Sequence, residues 1–473
     1  MINRLLIVLL GCIAHQALFA QNEGTLFFMN SISQSVYTNP AFFPKYKTSI
    51  GLPGSSTMVH YGNNGFSYKD FATKEAGVVT ANLDKLYSSL KPKNYLTQAN
   101  QVDILRLSFK TGARLYLTWN VTAKTYSRLM LPKDFLGLFL NGSTPFLGKN
   151  VSISPKAEAL AFVESGIGGA YQVNKNLNVG LRVKWLKGIG NATTKSSALN
   201  IAIDPTTYAM TAQGNLDLRT SGVQNFSNSA FDFGDSYADY LKNNGFAIDL
   251  GATYRIMDRI NLSFSVIDLG SIKWKNNTYG YSLDPEKAKY TFKGIDLNAA
   301  FNERDAFNGA LDSLQNRFEP TEGTIAAYRT AIPTKFYLGG NYEIRRNFTT
   351  GMVLHAELYR GRLQTGLTAA ISKNFGKVFS ATGSYTLSNF SYNNIGVGAS
   401  LNLPPFQLYL VGDNILRAAF AGKELNKFVN NTQVFNLRAG LNIILGWDKM
   451  PDKLPSDAPS PAYKSKKRKS NQK

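Results

Sequence analysis

Leu177-Asn178-Val179-Gly180-Leu181-Arg182-Val183-Lys184-Trp185-Leu186-Lys187 places Leu177, Val179, Leu181, Val183 and Trp185 at every second position, with Asn178, Gly180, Arg182 and Lys184 between them. Successive strand side chains point to opposite faces, so this stretch reads as a strand with one apolar and one polar face. The same alternation recurs over Arg114–Thr122, Phe246–Ile256, Arg259–Val266 and Met352–Tyr359, and more noisily over Val434–Trp447. These segments run to ~9–14 residues, whereas strands of soluble proteins have a mode of about 5–6. Tilted strands that cross a membrane need ~9–11 residues, apolar outward and polar toward the lumen.

Turn lengths extend the reading. Asn174-Lys175-Asn176, Met257-Asp258-Arg259, Arg345-Arg346-Asn347 and Asn374-Phe375-Gly376-Lys377 are short polar links, whereas 131–155, 221–244 and 294–332 are long. Short turns at one end and long loops at the other characterise transmembrane barrels. The sequence therefore predicts an all-β fold: a transmembrane antiparallel β-barrel of about 14 strands (range about 12–16), with a few short helices. The helices fall at Asn82–Leu90, Pro132–Leu140 and Glu303–Phe318. Trp119, Trp185, Trp274 and Trp447 lie in or near strands, where tryptophan suits the membrane interfaces.

Composition agrees. Of 473 residues only 18% are charged and 12% are aromatic, with 40 Gly. The one Cys, Cys12, and His15 fall in a leader, so thiolate and histidine-rich metal sites are excluded. Residues 1–20 read as a cleavable signal peptide: basic Arg4, an apolar run Leu5–Ala14 and a small residue, Ala20, at the cut. Leu9-Leu10-Gly11-Cys12 resembles a lipoprotein box, which leaves processing at Cys12 as the alternative. Residues 21–46 then form an N-terminal plug-like or hatch-like segment, 47–447 the barrel, and 448–473 a disordered basic tail on the periplasmic side.

The net charge of +21 is spread over alternating strands rather than gathered into a nucleic-acid footprint. Arg106, Arg114, Arg182, Lys184, Asp249, Arg255, Lys335, Glu343, His355 and Glu357 fall on polar faces and are the candidates to face the lumen. A structural role, pairing cations with acids to fill the interior, stands beside a selectivity role. Lys464, Lys466, Lys467, Arg468 and Lys469 form the only basic run and are candidates for docking a partner. His355 and Glu357 do not make a hydrolytic centre without a nucleophile and an oxyanion hole. Gly188-Ile189-Gly190 and Gly396-Val397-Gly398 lack the strand–turn–helix setting of a dinucleotide site. No catalytic set, metal site or cofactor follows from the sequence.

Asn39-Pro40-Ala41-Phe42-Phe43-Pro44 lies ahead of the first strand and is the candidate plug or gate. Together with Ile332-Pro333-Thr334-Lys335-Phe336-Tyr337-Leu338-Gly339-Gly340, Ser265-Val266-Ile267-Asp268-Leu269-Gly270, Tyr409–Asn414 and Asn436-Leu437-Arg438-Ala439-Gly440-Leu441-Asn442, it resembles the FadL-like long-chain fatty-acid transporters and the PorV/PorP-type barrels associated with type IX secretion. The resemblance is greatest to an uncharacterised family of exported outer-membrane barrels related to them, and it runs from about Asn39 to Trp447. It implies 14 strands, an N-terminal segment able to plug the lumen, and non-enzymatic passage of small or hydrophobic molecules in the bacterial outer membrane. The alternative it implies is an accessory barrel or scaffold of a secretion or surface-assembly system. Such a scaffold would dock a periplasmic or secretion-system protein through its outer loops and tail. The partners expected are outer-membrane lipid, a hydrophobic small-molecule ligand or such a protein, and no nucleic acid. The basic tail departs from the usual barrel ending near an aromatic residue and leaves Trp447 as the candidate assembly signal.

Overall fold

A computed structural model describes residues 23–64, 72–75, 78–223, 242–292, 316–388, 391–414 and 434–447. The leader 1–20, the tail 448–473 with its five docking candidates, and nearly all of the expected Glu303–Phe318 helix lie outside the described residues.

Fourteen antiparallel strands close a barrel. They are β1 (Tyr46–Gly51 and Ser56–Asn63), β2 (Lys93–Thr111), β3 (Leu115–Pro132), β4 (Lys156–Gln172), β5 (Leu177–Ile203), β6 (Asn244–Met257) and β7 (Ile260–Trp274). The circuit continues with β8 (Thr334–Arg345), β9 (Phe348–Tyr359), β10 (Arg362–Phe375), β11 (Phe379–Ser388), β12 (Ser391–Leu403), β13 (Phe406–Asp413) and β14 (Val434–Trp447). Each pairs with the next, and β1 closes the circuit on β14 with Ile50 opposite Ile443 and His60 opposite Asn436. Closure leaves no unpaired edge for the hydrocarbon region to expose.

The alternation read from Leu177–Lys187 decides which side faces what. Leu181 and Trp185 of β5 are 50% and 54% exposed on the outer surface, while Arg182 and Lys184 between them are about 1% exposed. The neighbouring strands repeat this, with Phe246, Phe264, Met352 and Ile371 outward and Ala247, Ser265, Val353 and Ala370 inward. An apolar exterior around a closed ladder is what a bilayer demands of a spanning sheet. Trp119 and Trp185 share that exterior. Trp274 does not: it is fully buried in the interior, where its indole donates to Thr330 Oγ1 at 2.8 Å.

At one end the strands join through turns of two to four residues; the long connections lie at the other. There β5 runs on for 27 residues, well beyond one membrane crossing. Its outer part pairs with Met210–Ser221, and Thr278–Leu283 and Thr321–Thr324 extend that sheet beyond the barrel. Helix α1 (Leu83–Ser89) starts where the Asn82 side chain accepts the Lys85 amide at 2.8 Å, and α2 (Lys133–Asn141) stops at Gly142, whose φ is +70°.

Candidate functional site

Residues 23–45 enter no strand. They thread the lumen as a plug containing two short helical turns, Gly24–Phe27 and Ser33–Tyr37, and nearly every side chain from Glu23 to Phe42 is buried. The wall receives this chain with hydroxyls, amides, ions and two apolar patches rather than with a ladder. Tyr337, Val353 and Ala370 lie under Phe27, Phe28 and Phe42, and Tyr409 and Val411 under Leu26, Met29 and Ile32. The Thr25 hydroxyl donates to Asp413 at 2.5 Å and lies 2.6 Å from Ser384 Oγ. Ser31 Oγ sits 2.8 Å from Ser380 Oγ, and Gln34 and Asn442 exchange two hydrogen bonds of 2.8 and 3.0 Å. Arg106 donates to the Ser33 carbonyl at 2.8 Å, and the Ser265 hydroxyl to that of Thr38 at 2.5 Å.

At the start of the plug, Glu23 forms a close ion pair with Arg438 and stands 3.8 Å from Lys335. Burial alone would raise the Glu23 carboxyl, but Arg438 and Lys335 hold it below the ordinary carboxylate range, so it remains ionised. Tyr37 fills the centre: its ring lies under the guanidiniums of Arg106 (4.5 Å), Arg438 (5.2 Å) and Arg182 (5.5 Å). Its hydroxyl donates to Asp103 at 2.6 Å, and burial together with that carboxylate pushes the phenol upward, so it remains a donor.

Asn39-Pro40 shows why this motif stands ahead of the first strand. The Asn39 side-chain Oδ1 accepts the Ala41 amide at 2.8 Å, a local turn that Pro40 rigidifies. The Asn39 side-chain Nδ2 donates to the carbonyls of Ala252 and Phe264, partners across β6 and β7, both at 3.3 Å. Two wall glycines make room. A Cβ on Gly180 would lie 2.3 Å from the Pro40 carbonyl carbon, and one on Gly251 would lie 2.2 Å from Asn39 Oδ1. Ala41 is fully buried and Pro44 is buried. Phe42 packs against Phe27 at 5.4 Å, and the half-buried Phe43 faces Tyr116 at 6.2 Å.

Above the plug lies an ionic cluster. Lys184 contacts Asp249 (2.8 Å) and Asp268 (2.5 Å), Lys124 contacts Glu164 (2.8 Å) and Asp268 (3.2 Å), and Arg182 contacts Asp249 (3.1 Å). A bulge in β7 opposite Asp249, with Asp268 at φ +59°, aims the Asp268 carboxylate into this cluster. Three cations meet three acids. Beside them is a cavity of about 40 Å³ lined by Lys124, Asp268 and Lys335 with Met58, Phe162 and Ile332. Higher still the wall fills the lumen itself: Tyr126, Phe162, Leu186, Ile272, Trp274, Tyr328 and Tyr359 form one buried cluster.

Of the residues singled out from sequence, Arg106, Arg182, Lys184, Asp249 and Lys335 meet one another or the plug in the lumen. His355 and Glu357 are buried on the inner face of β9, Glu357 opposite Lys335 in the ladder. Glu343 is half-buried and lines a cavity with Lys45 under the plug. Arg114 and Arg255 differ: Arg114 lies in the turn before β3 and Arg255 near the end of β6, both exposed at the short-turn rim. Their positions keep the inward register but fall beyond the filled lumen. Glu23, Lys124, Glu164, Asp268, Asp413 and Arg438 were not among the sequence candidates. Lys124 and Arg438 carry a signal, since each continues the inward parity of its strand.

A barrel closed around a polypeptide drawn from its own N-terminal side defines the class: a plugged transmembrane β-barrel. The chain belongs to a family described as being of unknown function (DUF5723), whose model matches residues 40–413. No curated protein matches the sequence significantly. Solved structures similar to this chain include a Pseudomonas aeruginosa FadL homologue, 10% identical, covering 89% of this chain and 94% of its own with a TM-score of 0.42. The Pseudomonas putida toluene transporter TodX is 9% identical, with coverages of 87% and 91% and a TM-score of 0.39. The Ralstonia pickettii toluene transporter TbuX is 10% identical, with 86% and 92% covered and a TM-score of 0.32. The fold rests on the strand pairings above.

Proposed function

We propose that this chain is an outer-membrane barrel for the gated passage of small, apolar or amphipathic molecules, with residues 23–45 as the gate. The observation that carries the reading is that the plug pairs with no strand. It is tied covalently to β1 at Tyr46 and otherwise held by side-chain contacts, so it can leave the lumen while all fourteen strand pairings persist. The wall it would uncover is mixed, with Tyr337, Val353 and Ala370 beside serines, threonines and amides. In this reading the leader is removed after Ala20, and the plug begins a few residues into the mature chain. Passage also requires the aromatic cluster around Tyr126 and Tyr359 to yield, because it fills the lumen above the plug.

The test is planar-bilayer conductance of the full chain beside a variant lacking residues 23–45 and carrying Tyr126→Ala and Tyr359→Ala. The full chain should be silent and the relieved variant should conduct steadily. Silence in the relieved variant, with heat-modifiable barrel migration intact, would overturn the passage reading.

A further inference from the structure

The hairpin between β9 and β10 is built from Arg360 and Gly361, whose φ values of +50° and +74° make a tight two-residue turn. It sits at the long-loop end and reaches strands remote from it in the barrel circuit. Tyr359 meets Tyr126 of β3 edge-on at 5.0 Å. Arg360 stands 3.6 Å from Glu158 of β4, and Arg362 lies over the ring of Tyr95 of β2 at 5.0 Å while donating to its hydroxyl. The hairpin thus spans the lumen and roofs a cavity of about 190 Å³.

Five cations, Arg128, Lys156, Lys195, Arg360 and Arg362, line that cavity against one acid, Glu158. Arg128 is the decisive one. It is 5% exposed, its guanidinium lies against both the ring of Tyr126 (5.5 Å) and that of Tyr359 (5.3 Å), and its Nε and Nη2 make no hydrogen bond among the described residues. Glu158 stands opposite Arg128 in the ladder, yet its ion pair is with Arg360. A buried guanidinium held by two rings, with two idle donors beside a cationic cavity, is costly unless an acceptor fills the place. Guanidinium forks match planar carboxylates and phosphates, and aromatic walls suit a flat apolar body. The volume falls below the roughly 300–1,000 Å³ of sites for drug-sized ligands, so the ligand is compact.

We infer that this cavity is an oxyanion-binding site for a small carboxylate or phosphate borne on an aromatic or short apolar body, with Arg128 as the principal ligand-binding residue. Binding here does not depend on whether the lumen conducts. Failure of this proposal therefore leaves the passage reading standing, and the reverse holds as well.

Calorimetric titration of the detergent-purified full chain at low salt, with benzoate, phenyl phosphate and benzyl alcohol, tests it. At least one of the two anions should bind tenfold or more tighter than benzyl alcohol, and the better anion tells carboxylate from phosphate. Arg128→Gln should weaken that binding at least tenfold. Arg362→Gln, at a half-buried position on the turn, should weaken it severalfold and serves if the Arg128 variant does not fold. Binding of both anions less than tenfold tighter than that of benzyl alcohol, no anion binding at all, or anion binding unchanged in a folded variant would overturn the proposal.

Discussion

Below the ionic cluster the lumen is occupied by residues 23–45, a stretch of chain that belongs to no strand and is held by hydroxyls, amides, the Glu23–Arg438 pair and two apolar contacts. These are Phe27, Phe28 and Phe42 on Tyr337, Val353 and Ala370, and Leu26, Met29 and Ile32 on Tyr409 and Val411. Above it the filling is wall side chain: Tyr126, Phe162, Trp274 and Tyr359 pack into one apolar cluster. The difference lies in what each filling loses when it opens. A neutral hydrogen bond exchanged for water changes stability by about 0.5–1.5 kcal/mol, and water takes over the same groups. Exposing a packed aromatic forfeits its transfer energy, a cost the plug meets at Phe27, Phe28 and Phe42; in the upper cluster the aromatics belong to the wall, so the same loss leaves a hole in the barrel itself. Because it pairs with no strand, the lower filling is separable from the barrel at the cost of those contacts, and the upper is part of the barrel's own stability.

Breaking each half should move a different observable. Tyr126→Ala removes the centre of the upper cluster and should lower barrel stability by about 3–5 kcal/mol, read as a lower temperature of heat-modifiable unfolding on gels. Glu23→Gln strands Arg438 in the lumen without its carboxylate. Losing one partner of a buried pair costs about 3–5 kcal/mol. Because Arg438 keeps Ser56 and Gln101, the lower end applies, and the loss should appear as protease sensitivity within 23–45 with the barrel transition unchanged. Gly180→Val drives a side chain into Pro40 and should unseat the plug by about 1–3 kcal/mol, seen in the same digestion.

The smallest effect is that of pH on plug seating. The Glu23 carboxyl is held below its ordinary value, so its contribution is complete above that value and is lost only as pH falls through the lowered one. Lys45 works in the other direction. Burial lowers it to about 8, against the opposing pull of Glu343, so seating should strengthen as pH rises from about 8 toward the ordinary lysine range. Digestion rates across pH should therefore rise in acid and fall in mild alkali. A flat profile would remove both groups from the latch.

How much of this was legible in the sequence follows from the same contrast. Leu177–Lys187 announced its strand because its outer face meets lipid and must alternate with a polar lumen face. On β3 the alternation fades after Thr122: the outward Ala123, Thr125 and Ser127 lie where the strand leaves the apolar band. The inward Lys124, Tyr126 and Arg128, in step with Asn120 and Thr122, were hidden for that reason. Asp268 sat inside a quoted stretch, but its inward aim depends on a bulge that periodicity cannot foresee. Asp413 also sat inside a quoted stretch, on the inward parity of β13, but its partner in the plug was out of reach of the pattern. Glu23 gave no signal at all, since plug contacts join residues 388 and 415 positions apart. Asn39-Pro40 was legible as a fixed turn, and its seat on Gly180 and Gly251 was not.

Separability of the plug is the central claim, and hydrogen–deuterium exchange of the bilayer-embedded full chain tests it most directly. The account predicts that amides of residues 23–45 exchange through local opening, far faster than those of β2–β5, while the strands stay protected. A Ser31→Cys/Ser380→Cys crosslink should then slow the plug alone. Exchange of the plug only together with the strands, on global unfolding, would contradict the account and make residues 23–45 a permanent part of the barrel.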